Sequence, residues 1–470
     1  MELNILFFFF FFFFTISNAV TQFSPTDNYL INCGSPITSF PSNNRFFITD
    51  TSKPGSLFLS AKSSSFPLIN NNPSPHLSQL YHTARIFNKE SFFTFGIKKK
   101  GTHLVRLHFY PFFDISNANF HVSSNGYLLL SKFNGLEFEN GEKEPILKEY
   151  LINVDKGVVE IVFTPFNESS FGYVNAIEVF SAPDRLIADT AMLVGFNVSE
   201  KINGLRNQGL ETVYRLNVGG PKVTPFNDTL WRTWIPDDGV LRMNETSMDI
   251  HFSGRIQYQE GGLSREIGPD NVYSSARVMS NLKRNSNITW ILPVSVGYKY
   301  LVRMHFCDIA SLALNELYFN VYINGHLATE NLDLSDITRM LASPYYADFV
   351  VNANELGVIS VSIAPSNLSS PERMNAILNG LEIMKMNNSM GSFNGKISVA
   401  SILRSRARGN NGVGVCSLAI ISLLVAAFVV MHRRNAVAQD SVGWSPLPLD
   451  ASEGNLKYKN QSALRKFLFF

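Results

Sequence analysis

Leu104-Val105-Arg106-Leu107-His108-Phe109 returns later in the same chain as Leu301-Val302-Arg303-Met304-His305-Phe306. Other pairs flank it in the same order. Asn32 and Gly34 match Asn217 and Gly219, Arg45 to Asp50 matches Arg232 to Asp237, and Tyr81 to Arg85 matches Tyr273 to Arg277. Beyond it, Phe120 to Gly126 matches Phe319 to Gly325, and Asn175-Ala176-Ile177 matches Asn375-Ala376-Ile377. The offset climbs through 185, 187, 192, 197 and 199 to 200, as two copies of one fold with small loop insertions would give. This is an internal duplication whose period far exceeds that of a solenoid repeat, so each copy is long enough to bury its own core.

Within the repeated stretch, Val105, Leu107 and Phe109 point one way while Leu104, Arg106 and His108 point the other, the period of two that marks a strand. Val158 to Phe163 and Val358 to Ile363 are similar runs, and Asn125-Gly126 and Asn324-Gly325 predict a tight hairpin in each copy. Many short strands separated by turn residues predict an all-β fold of two tandem β-sandwich domains, residues 25–184 and 211–388, with a polar linker over 185–210.

The ends of the chain predict a membrane protein. Residues 1–19 hold a long apolar run closed by Ser17-Asn18-Ala19, which reads as a secretory signal peptide. Residues 413–431 are 19 apolar residues without a charge, followed by His432-Arg433-Arg434, and predict a single transmembrane helix. With the signal peptide, this places the N-terminus outside the cell, 389–412 as an extracellular juxtamembrane segment, and 432–470 as a short cytoplasmic tail. N-x-S/T sequons at Asn167, Asn197, Asn227, Asn244, Asn287, Asn367 and Asn387 predict a glycosylated exterior.

Composition excludes several function classes. A net charge of +2 provides no field to hold nucleic acid. Of three cysteines, Cys416 lies in the apolar run, so Cys33 and Cys307 either bond to each other or remain two buried thiols. No G-x-S-x-G elbow or His-Glu-x-x-His helix is present, and no ligand set accompanies His305 and Cys307, so neither a hydrolase nor a metal or cofactor site is expected. The repeated Arg-x-His face reads better as a framework pair with a buried carboxylate than as a ligand platform, because a duplicated fold shares its framework while its binding surfaces diverge. Trp231 and Trp234 read as core.

The chain resembles the plant malectin-like receptor kinases of the FERONIA and THESEUS type. The residues that carry the resemblance are Asn32-Cys33-Gly34, Tyr81 to Phe87, Leu104 to Phe109, Glu211 to Gly220, Arg232 to Asp237 and Leu378 to Ile383. It implies two malectin-like, jelly-roll-like sandwiches outside the plasma membrane that bind a secreted peptide of the rapid-alkalinisation type with a small lipid-anchored co-receptor, and cell-wall pectin or another glycan, in growth signalling. Animal malectin places aromatic residues of its sugar site just after the repeated strand, where this chain has Tyr110, Phe112 and Phe113; the second copy has Cys307, Asp308 and Ile309 there. Tyr110, Phe112, Phe113 and Asp308 are therefore candidate ligand contacts. After Arg434 only 36 residues remain, and none of the kinase motifs occurs in them. The expectation is a kinase-less form acting as a decoy, a co-receptor or a truncated receptor. The alternative is a tethered lectin or adhesion module without a signalling role.

Overall fold

The computed structural model describes residues 23–403 except 61–63, 137, 140–141, 196–197, 243–246, 281–285 and 370–374. The expected signal peptide, the span 413–431 and the tail 432–470 lie outside the described residues. Among those described, no helix is long and apolar enough to cross a membrane.

The strands that build the main layer are β1 (Asn28–Asn32), β2 (Arg45–Thr49), β3 (Gly101–Phe109), β4 (Ile146–Val154), β5 (Ala176–Ser181), β6 (Thr190–Gly195), β7 (Val198–Asn203), β8 (Leu210–Asn217), β9 (Lys299–Cys307), β10 (Pro344–Asn352) and β11 (Gly380–Met386). The first copy contributes the order β4-β3-β5-β1-β2. The second contributes β10-β9-β11-β8, with the short strand Ile235–Pro236 beside β8 in the place of β2. Even the unusual parallel pairing recurs, Ile31 with Ile48 in one copy and Leu216 with Ile235 in the other. Duplication is thus visible in hydrogen-bond topology as well as in residue pattern.

A second sheet faces each half. In the first copy it runs Ser91–Gly96, Val158–Pro165, Phe120–Ser124, Tyr127–Phe133, and in the second Leu241–Arg242, Ile288–Pro293, Val358–Pro365, Tyr318–Ile323, His326–Asp333. Val105, Leu107 and Phe109 enter the first core with Phe120, Ile161 and Phe163, while Val302, Met304 and Phe306 enter the second with Trp290, Phe319 and Ile363. The expected hairpins form. Asn125 and Gly126 have φ of 47° and 89°, and Asn324 and Gly325 of 52° and 79°, the left-handed pair that matches strand twist. Each asparagine then ties its hairpin to the next strand, since Asn125 Oδ1 accepts from the Glu160 amide and Asn324 Oδ1 from the Ser360 amide, both at 2.9 Å.

The two copies are not joined by an open linker. Strands β6 and β7 pair antiparallel, and β6 adds in parallel to the outer edge of β10, Met192 beside Phe349. Ala191 and Val194 are buried there, three positions apart rather than in the strict alternation that marks a strand in the sequence. At the seam, β4 pairs with β8 through Tyr150 with Glu211 and Leu151 with Leu210, so one 13-stranded sheet runs through both sandwiches. A third apolar cluster fills the seam, with Leu104, Leu151 and Phe180 from one copy meeting Leu301, Val350 and Met384 from the other beneath Leu230 and Trp231.

The segment after β11 crosses back to the first sandwich. There the Leu128 amide donates to Gly391 O at 2.8 Å and the Phe393 amide to Leu128 O at 3.0 Å. Phe393 is 1% exposed and belongs to the first core, 5.3 Å from the Tyr150 ring.

Candidate functional site

The repeated motifs assemble into matching clips. Asp50 takes the Arg85 guanidinium at 2.9 and 2.8 Å and the Gly34 amide at 2.7 Å. Asp237 takes Arg277 Nε at 2.8 Å, the Gly219 amide at 3.0 Å and Trp290 Nε1 at 2.7 Å. A side chain at either glycine would collide with the backbone of Ala84 or Ala276. One sequence correspondence needs correction. The structural partner of Asn175 is Asn379, not Asn375: they stand just before β5 and β11, equivalent interior strands of the main sheet, Asn175 accepting from the Tyr110 amide and Asn379 from the Cys307 amide, each at 2.7 Å. The second copy has four extra residues in the preceding turn, and the repeated Asn-Ala-Ile triplet conceals the slip.

The same correction identifies the carboxylates beneath the Arg-x-His face. Glu178 accepts from His108 Nε2 at 2.9 Å and from Arg106 Nη1 at 3.1 Å, and Arg45 holds it at 2.5 Å. Glu382 lies 3.2 Å from His305 Nε2. Tyr81 and Tyr273 close the other side of each imidazole, at 3.1 and 2.9 Å from Nδ1. Burial lowers the His305 pKa, and a neutral ring satisfies both neighbours by donating from Nε2 and accepting at Nδ1. Arg106 also binds Glu149 at 2.6 Å and Leu230 O at 2.9 Å, while Arg303 binds Asp348 through two bonds of 2.8 Å and Leu186 O at 2.8 Å. These buried groups are spent on one another, which makes the repeated face framework rather than platform.

Arg215 joins the two halves of that framework. Its Nη2 lies 2.6 Å from Glu149 on β4 and its Nε 2.7 Å from Glu382 on β11. Burial opposes ionisation of both carboxyls, but the guanidinium of Arg215, with Arg106 beside Glu149 and His305 beside Glu382, outweighs it. Glu149 is held at about 2, and Glu178 and Glu382 are also depressed. Stability from such groups is complete above their unfolded pKa of about 4.3 and is lost as pH falls toward the folded value. The depressed His305 acts in the same direction, beginning near its unfolded value of about 6.5. Denaturant titrations at stepped pH should therefore show stability declining gently below about pH 6.5 and steeply below about pH 4.5. A midpoint as high at pH ~3 as at pH ~7 would contradict the network's charge state.

The candidate ligand contacts Tyr110, Phe112, Phe113 and Asp308 lie in the loops that follow β3 and β9. Phe112 and Phe113 are half-buried, edge-to-face at 5.1 Å, and Phe113 meets Tyr173 at 5.1 Å against the first core. Tyr110 is half-buried 6.0 Å from Tyr81. Asp308 is 3% exposed and caps its own turn, with Oδ1 accepting from the Ala310 and Ser311 amides at 3.2 and 2.9 Å, and its Oδ2 has no hydrogen bond among the described residues. Cys33 and Cys307 are separate free thiols, one in the first core and the other beside Ile256 and Tyr273. Among the described residues no disulfide spans the two sandwiches, and burial pushes both thiols up. Trp231 and Trp234 are buried. Of the sequons, Asn167, Asn227, Asn287 and Asn367 are exposed. Asn387 is half-buried and holds the Gly209 amide at 2.8 Å, and Asn197 and Asn244 lie outside the described residues.

A groove that sequence reasoning missed opens where β4 and β8 diverge beyond their two paired residues. Its volume is about 570 Å³, and its lining includes Leu147, Lys148, Glu211, Val213, Pro293 and Lys385. Leu147 and Val213 are 43% and 38% exposed, and Glu211 on the floor sits between two ammonium groups, Lys385 at 2.6 Å and Lys148 at 3.7 Å. These residues lie far apart in the chain and meet only because the two copies pair edge to edge.

Comparison with known proteins agrees with this architecture. Residues 31–386 match the family described as Malectin-like domain. A probable receptor-like protein kinase of Arabidopsis thaliana is 42% identical over 90% of this chain and 52% of its own length. The receptor-like protein kinase THESEUS 1 of the same plant is 38% identical over 85% and 46%. The chain thus spans about half the length of the curated relatives it matches. A crystal structure of the plant peptide RALF23 in complex with FER and LLG2 contains a chain that superposes with a TM-score of 0.68 and 31% identity, over 79% of this chain and 98% of that one.

Proposed function

The chain belongs to the malectin-like family represented by the FERONIA- and THESEUS-type plant receptor kinases, and on that premise we propose that residues 25–388 form the ligand-binding ectodomain of a plasma-membrane receptor for a secreted peptide. One observation carries the reading: 98% of a chain from the crystal structure of the plant peptide RALF23 in complex with FER and LLG2 is matched here. A peptide of the rapid-alkalinisation type, presented with a small lipid-anchored co-receptor, is the partner we assign, and residues 413–431 are the segment we assign to the membrane. The seam groove supports the same reading, because it sets exposed Leu147 and Val213 beside the charged floor of Lys148, Glu211 and Lys385, a mixture that suits an extended peptide better than a sugar ring.

The test displays the full chain on plant cells and titrates it with a labelled rapid-alkalinisation peptide, with and without the co-receptor. Saturable binding that tightens when the co-receptor is present is expected, with at least a tenfold loss for Lys148→Glu, whose partly exposed side chain can change without disturbing the core. Binding of pectin or glucan fragments without any affinity for the peptide would replace this reading with that of a tethered lectin.

A further inference from the structure

Two of the sequons occupy the same turn in the two copies. Val158–Pro165 and Val358–Pro365 are equivalent strands, and they lead into Phe166-Asn167-Glu168-Ser169 and Ser366-Asn367-Leu368-Ser369. Both turns are anchored alike. The Phe166 amide donates to Asn119 O at 2.9 Å, and the Ser366 amide to Tyr318 O at 3.0 Å, where the neighbouring strand begins. Around these anchors the residues have diverged, phenylalanine against serine and glutamate against leucine, while the asparagine and the serine two positions on are shared.

Both asparagines are exposed. Asn167 Oδ1 accepts from the Ser169 amide at 3.1 Å and from the Ser169 and Ser170 hydroxyls at 2.9 and 2.6 Å, which fixes the amide plane and leaves Nδ2 without a hydrogen bond among the described residues. Beside each asparagine stands an apolar side chain open to water, Phe166 at 44% exposure and Leu368 at 65%. An attached sugar chain would cover that surface. The turn in the first copy also touches the loop after β3, through the Phe171 amide to Asn117 O and through the Phe171 and Phe113 rings 6.2 Å apart. In the second copy the Ser369 hydroxyl donates to Tyr318 O at 2.9 Å, where the loop after β9 ends.

We propose that Asn167 and Asn367 form a matched pair of N-glycosylation sites whose sugars shield the loop-bearing end of each sandwich. The modification joins Asn Nδ2 to C1 of the first sugar of a lipid-pyrophosphate-linked oligosaccharide. Nδ2 gives up one proton, and the lipid pyrophosphate departs with the electrons of the C1–O bond.

The full chain, made in plant cells, is digested with a peptide N-glycosidase in heavy-oxygen water and mapped by mass spectrometry. Labelled aspartate is expected at both 167 and 367. An unmodified asparagine at either position overturns the pairing, whether or not Asn227 or Asn287 is labelled. The shield is tested separately with Asn167→Gln/Asn367→Gln, which should be cut by protease at least several-fold faster within 110–118 and 308–317. Equal cutting rates overturn the shielding while leaving modification to stand on the mass map.

Discussion

Arg215→Met is expected to destabilise the protein by about 3–5 kcal/mol, because it removes one partner from buried ion pairs and leaves the other charges uncompensated. Glu149 and Glu382 are 4% and 2% exposed, and the guanidinium reaches both at 2.6 and 2.7 Å. Arg215→Lys should recover little, since a single ammonium cannot span two carboxylates on different strands with the fork geometry of a guanidinium. Adding Glu149→Gln and Glu382→Gln to Arg215→Met should return a substantial part of the loss by removing the stranded charges. Urea unfolding of the four proteins decides the matter. A single-variant loss below about 1 kcal/mol would mean that the network is solvated and that the seam is held by its apolar cluster alone.

Phe393→Ala is expected to cost about 3–5 kcal/mol, the range for emptying a buried aromatic site, and to spend that cost in a part of the molecule far from it in sequence. Phe393 packs against Tyr150 and Tyr127, with its amide held by Leu128. Hydrogen exchange should therefore accelerate in Tyr127–Phe133 and in β4, while the core around Trp290 and Phe319 keeps its protection. Ending the chain before residue 390 should reproduce the effect. Equal acceleration in both sandwiches would show that the seam couples them more tightly than the separate cores imply.

Which features were legible in the sequence depends on how far each one reaches. Hairpins at Asn125-Gly126 and Asn324-Gly325 rest on two residues and their strand twist, and both were readable. The period of two in Leu104 to Phe109 correctly faced Val105, Leu107 and Phe109 into the core. Its other face read as a framework pair over a buried carboxylate, and Glu178 is that carboxylate, but part of the cover over Arg106 comes from Leu230, more than a hundred residues away. Nothing local to β4 says that its edge will pair with Glu211, so the groove beside Lys148 and the bridge through Arg215 could not be foreseen. The slip from Asn379 to Asn375 has a different cause. A coincidental Asn-Ala-Ile lies four residues before the true partner, and only the hydrogen bonds to the Tyr110 and Cys307 amides distinguish them. Tyr110, Phe112 and Phe113 stand out in the sequence for their chemistry, but aromatic side chains serve cores as readily as ligands, and the packing of Phe113 against Tyr173 and Phe171 is set by residues some sixty positions further on.

The return of the chain to the first sandwich bears on how the protein is made. An N-terminal domain ordinarily completes its folding while the ribosome is still synthesising the next domain. Here the first sandwich lacks a core residue until Phe393 has emerged, by which time the second sandwich has been translated in full. Until then the place beside Tyr150 stands unfilled on a half-made protein, and its filling marks the moment when the whole pair of sandwiches has been delivered.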